Sequence, residues 1–211
     1  MRKLLLLIFL CFFVTGTSAW AGENAGAVVA FDLELKDAAE AGYQGHWKIT
    51  GVGADQTVVL SIYGKDVSNL KAFGVKVEFE PDKVAFVSAG FSDPDWSEAY
   101  ILDGTGAFEI KKFDPANPQS VYILSAAFEP GSEAEAPDGE GLIGWLQFTT
   151  SSDFTSETTA AFTLTEGSLT GFDGVTDDVT QQSIDQGVGK AYLNPVAVEP
   201  SLWGQIKALF K

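Results

Sequence analysis

Chemistry needs a base, a nucleophile or a ligand set, and this sequence is sparing with all three. His46, between Gly45 and Trp47, is the only histidine. No nucleophile motif lies near it, so a catalytic triad has nothing to build on, and His46 reads as a loop residue. Zinc fails on ligand number, because the single cysteine, Cys11, lies in an apolar leader. Carboxylates are plentiful: Asp93, Asp95, Glu98 and Asp103 gather in one stretch, and Asp173, Asp177 and Asp178 in another. Neither has the spacing of an EF-hand loop. Solvated loop acids are the main reading and a structural calcium ion the minor one, so no cofactor is expected. In so acidic a chain, paired carboxylates are no mark of a glycosidase.

The aromatic residues are better candidates, for recognition rather than catalysis. Trp145 lies on the strand face opposite Leu146 and Phe148, Trp96 and Tyr100 lie in a loop, and Trp203 lies near the C-terminus. Flat rings with polar edges suit sugar stacking and protein contacts alike. The competing reading for Trp145 is burial beneath the long connection Asp37 to Asp55.

These residues need a frame, and the alternation of apolar side chains describes one. Phe73, Val75, Val77 and Phe79 alternate with Gly74, Lys76, Glu78 and Glu80, the period of a strand with one buried and one wet face. Val58, Leu60 and Ile62 precede it and Val84 to Val87 follow it, so Val58 to Ala89 is expected to form one wall of an antiparallel sandwich. Val29, Phe31, Leu33 and Leu35 mark a first strand, with a helical turn expected at Asp37 to Ala41. Phe91 to Lys112 reads as a loop or loop-hairpin. Further strands are expected at Val121 to Phe128, at Gly141 to Thr149, around Phe162, and at Gly187 to Leu193. In the Gly141 strand, Leu142, Gly144, Leu146 and Phe148 share one face, and Ile143, Trp145 and Gln147 the other.

The ends read differently. Residues 1–21 have the form of a secretory signal, with Arg2 and Lys3, an apolar core and the small-x-small site Ala19-Trp20-Ala21. The mature chain is then expected to begin at Gly22, outside the cell or in the periplasm, with no transmembrane segment. Residues 22–194 form the sandwich and 195–200 a linker. In 201–211, Leu202, Trp203, Ile206, Leu209 and Phe210 fall on one side of a short helix. That helix docks either on the sandwich or on a partner or envelope surface. The net charge is −16, and loss of the signal makes it two units more negative. Such acidity opposes binding to nucleic acid and to anionic lipid.

The succession VVLSIYGKDVSNLKAFGVKVEFEPDKVAFVSA, then GEGLIGWLQFTT, then TTAAFTLTEGSLTGFDG resembles the cohesin domain, related in fold to family 2 and 3 carbohydrate-binding modules. The carrying features are the approach Asp66 to Phe73, the turn Phe79-Glu80-Pro81-Asp82, with Glu80 where the family has Asp, and the strand opening at Gly141. The resemblance implies an all-β, antiparallel jelly-roll sandwich of about nine strands with no catalytic role. It implies docking of a dockerin-like partner, or carbohydrate (polysaccharide) association, in an extracellular assembly. A structural component of a matrix or surface layer is the alternative.

Overall fold

The computed structural model describes residues 21–92, 98–116, 119–126 and 136–195. Eleven strands follow one another among these: β1 (Val28–Leu35), β2 (Lys48–Ile49), β3 (Thr57–Val67), β4 (Leu70–Phe79), β5 (Val84–Gly90), β6 (Phe108–Asp114), β7 (Gln119–Ala126), β8 (Gly139–Thr150), β9 (Ala160–Gly171), β10 (Thr176–Asp178) and β11 (Lys190–Leu193). One helix, α1 (Thr180–Asp185), precedes β11. A four-stranded sheet has the order β1-β3-β8-β5, and a second sheet the order β2-β11-β9-β4-β7-β6, with β10 on β9. This is an all-β sandwich.

Its core is the set of alternate residues that both sheets turn inward. Phe31, Leu33, Leu60, Ile62 and Phe148 come from the first sheet, and Phe73, Val75, Val77, Phe162 and Leu164 from the second. Rings close the gap between layers, Phe148 lying 4.9 Å from Phe79 and 4.8 Å from Phe162. Burying these side chains is the main stabilising contribution, since each apolar residue removed from water is worth about 1.5–3 kcal/mol.

The stretch Val58 to Ala89 is not one wall. β3 and β5 lie in the first sheet and β4 in the second, so the chain crosses the core twice. Alternation shows which side chains are buried, and it reads the same in either sheet. The first crossing is made at Asp66 (φ 55°) and Asn69 (φ 45°), left-handed positions that Asp and Asn tolerate. Alternation also breaks in β8. Tyr63 faces Leu142 and Ile62 faces Gly144, leaving Ile143 as an extra residue in the ladder. That bulge turns Ile143 into the core and leaves Leu142 buried outside it, against the expected assignment of faces.

The short elements β2 and β10 carry too few residues for a period to show, hence eleven strands where about nine are expected. β6 begins inside the expected loop or loop-hairpin Phe91 to Lys112 and runs on to Asp114. All seven of its residues are exposed, so no buried face marks it in the sequence. The connection after β1 holds a single 3-10 turn at Lys36–Ala38. The expected C-terminal helix and signal fall outside the described residues. Among the described residues no helix is long and apolar enough to cross a membrane.

Candidate docking face

The outer faces of the two sheets differ. Over the first sheet the connection 36–56 folds back onto β1 and β3. Buried Asp32 accepts the backbone N–H groups of Gln44 and His46, the latter at 2.8 Å. Glu34 accepts the Glu40 N–H at 2.9 Å, and its other oxygen lies 3.1 Å from His46 Nδ1. Tyr43 packs edge-on against Tyr63 at 5.5 Å, and the Tyr63 hydroxyl donates to Glu98 at 2.9 Å. Burial first, then the bond to Glu98, pushes the Tyr63 phenol up.

Asp32, Glu34 and His46 bring three potential metal-ligating atoms within 4.8 Å of one another. Both Asp32 oxygens and one of Glu34 already hold backbone N–H groups, so the trio works as a clamp on the connection. Sequence reasoning left His46 without partners because the two acids lie on β1, a loop away. The only early signal was that Asp32 and Glu34, two apart, share the outer face of a strand.

The second sheet presents a different surface. Register places Ile110 beside Leu124, and Lys112, Tyr122, Lys76 and Glu166 in one row across β6, β7, β4 and β9. Lys76 pairs with Glu166 at 3.3 Å. Gly74 leaves room for the tyrosine: a Cβ there would fall 2.7 Å from the Tyr122 hydroxyl oxygen and 2.9 Å from Ser168 Oγ. Burial, then the Glu166 charge, pushes the Tyr122 phenol up. Lys76, Ile110, Lys112, Asp114, Ser120, Tyr122 and Glu166 line a depression of about 440 Å³. The edge strand β6 adds exposed Phe108 and Ile110 on this side. On its inward side Phe113 stacks on Phe86 at 5.0 Å. An aromatic ring, aliphatic side chains and two lysines on a pleated surface offer shape and charge for a macromolecular partner.

The residues expected to bind are placed apart from this face. Trp145 points outward on β8, as its alternation predicts, but it is half-buried. Its ring lies across Gly90, where a Cβ would come within 2.5 Å of it, and its indole N–H donates to the Ser92 carbonyl at 3.1 Å. Its seat is therefore the neighbouring strand β5 and the Ser92 backbone that follows it. Tyr100 is no exposed loop ring: it is buried in the core, 5.3 Å from Phe91, because the loop dips between the sheets there. Trp96 and Trp203 lie outside the described residues. Of the two acidic clusters, Asp93 and Asp95 also lie outside. Asp173, Asp177 and Asp178 each accept backbone N–H groups.

Exposed aromatic surface occurs instead at Trp47, 46% exposed, which meets Tyr192 edge-on at 6.3 Å beside a depression of about 350 Å³.

No family model matches this chain, and no curated protein matches it in sequence. Solved structures do. A type II cohesin domain from the cellulosome of Acetivibrio cellulolyticus superposes with a TM-score of 0.53 at 11% identity, covering 79% of this chain and 95% of its own. The chain has a cohesin-like fold. A second similar structure is a type I cohesin–dockerin complex from Clostridium thermocellum, with a TM-score of 0.51 at 10% identity over 79% of this chain and 97% of the other. A third is the sixth cohesin of scaffoldin B from Acetivibrio cellulolyticus in complex with a dockerin, with a TM-score of 0.50 at 10% identity over 81% and 99%. In this cohesin-like sandwich the approach Asp66 to Phe73, which carries the resemblance in the sequence, is the crossover between the two sheets.

Proposed function

We propose that this cohesin-like chain is a secreted, non-catalytic binding module that docks a dockerin-like protein on the outer face of β9-β4-β7-β6. The carrying observation is that face: Tyr122, Ile110, Leu124 and Lys112 stand on it in register, whereas on the opposite sheet the connection folds over β1 and β3. The fold supports the reading, since two similar structures were solved with dockerins bound.

The test is a calorimetric titration of the exported chain against dockerin modules from the producing organism. Tyr122→Ala and Ile110→Asp should each weaken binding at least roughly tenfold, about 1.4 kcal/mol, while the melting temperature holds. Failure of every dockerin module to bind, or full binding by both variants, would remove the proposal.

Carbohydrate association is the second reading, favoured by the exposed Trp47 with Tyr192 alone. Retention on soluble polysaccharide in an affinity gel that Trp47→Ala abolishes would support it over protein docking. Equal migration of both proteins with and without polysaccharide would end it.

A further inference from the structure

The first described residues are held in an unusual way. The Gly22 N–H donates to Asp177 Oδ1 at 2.9 Å and the Asn24 N–H to Asp177 Oδ2 at 3.0 Å. Between them, the Glu23 N–H reaches Asp173 Oδ2 at 3.2 Å. Three successive backbone nitrogens thus face two carboxylates. Asn24 is fully buried and exchanges two bonds with the Ser68 backbone, which fixes the segment in place.

Asp177 is only 9% exposed, and among the described residues no lysine or arginine forms an ion pair with it. A buried carboxylate that lacks a cation keeps a desolvation cost that two amide bonds offset only in part. Glu23 and Asp173 add negative charge to the same corner; a Cβ on Gly171 would lie 2.7 Å from one and 3.0 Å from the other. Gly22 itself admits no side chain, because a Cβ there would sit 2.3 Å from Asp177 Oδ2 and 2.9 Å from the Val175 Cβ. The small-x-small site Ala19-Trp20-Ala21 ends immediately before it.

We propose that cleavage between Ala21 and Gly22 creates the missing cation, and that the new α-ammonium of Gly22 locks onto Asp177. A signal peptidase would hydrolyse the Ala21–Gly22 peptide bond, water supplying the hydroxyl to the Ala21 carbonyl and a proton to the Gly22 nitrogen. That nitrogen takes a further proton from solvent near neutral pH, since α-amino groups titrate at about 8. The neutral amide bond to Asp177 then becomes a charge-assisted one, shorter and roughly twice as strong. Processing therefore completes the fold as well as freeing the chain. The lock rests on the export reading only for its cleavage step, and the two parts are tested separately.

Mass spectrometry of the exported protein should find Gly22 first; a different first residue overturns the processing half. Independently, the chain 22–211 prepared with a free amine should melt roughly 4 °C above the same chain acetylated at Gly22. Asp177→Asn should abolish that difference. Should that variant fail to fold, nitrogen-15 NMR titration of the Gly22 amine supplies the second readout, with its pKa raised above the ordinary value. Equal melting of the free and acetylated chains, or an unshifted amine, overturns the lock whatever the cleavage site.

Discussion

Glu34 shows how a single side chain can carry a pH dependence. Its burial, largest, and the adjacent Asp32 charge hold its carboxyl above the ordinary 4.5, against the lowering by the Glu40 N–H and by His46. A raised folded-state pKa means that the native protein binds this proton more tightly than the unfolded chain. The stability it contributes is therefore present below about pH 4.5 and is lost as pH rises through the folded value. The stability of the wild type minus that of Glu34→Gln should fall with increasing pH in denaturant titrations between pH 4 and pH 7. A flat difference would remove the burial argument. Trp145 makes a second test. Because its ring is only partly buried, Trp145→Ala should cost about 1–2 kcal/mol, less than a core truncation, while Trp145→Phe should recover part of the loss by refilling the space over Gly90 in a thermal melt. That Trp145 faces outward was legible from Leu146 and Phe148. Its seat was not, since Gly90 and Ser92 are brought beside it only by the pairing of β5 with β8.

Strands were most legible where one face is dry. In β4, Val77 is fully buried and Lys76 half-exposed on the opposite side, as alternation requires. Val77→Asp should unfold the sandwich by placing an unpaired charge between the sheets, and Lys76→Asp should shift stability by less than about 1 kcal/mol. Circular dichroism melts of the two variants check this, and equal losses would mean a wrong register. Lys76→Asp should also weaken partner binding, because Lys76 lies in the row proposed for docking, so one substitution separates folding from recognition. Where neither face is dry, as in β6, period gave no signal, and the face proposed for docking was hidden for that reason. Helix α1 escaped notice for a related cause. It is one and a half turns long, and its only buried residue is Ser183, whose hydroxyl donates to the Val179 carbonyl at 2.6 Å and accepts the Val29 N–H at 2.9 Å.

At the scale of the molecule, the fold class was legible because most strands alternate cleanly, whereas the division of strands between sheets depends on contacts between distant segments. The first strand is closed by the last quarter of the chain. Val29 gives its N–H to Ser183, 154 positions later, and Phe31 gives its own to the Val188 carbonyl. The Leu164 N–H reaches the Gly189 carbonyl from the other sheet, so the segment 183–189 ties both layers. A chain ending at Asp178 should therefore remain protease-sensitive and bind a hydrophobic dye, although it keeps nine complete strands of the sandwich and β10. Compact, protease-resistant behaviour would show that the closure is dispensable. The same tie sets a clock. A ribosome adding about 5–20 residues per second needs on the order of 8–30 s to reach Ser183 after Val29 has been made. Throughout that delay β1 can pair with β3, but its other edge waits for the segment 183–189, so the last layer contacts of the first strand form only seconds after the strand itself.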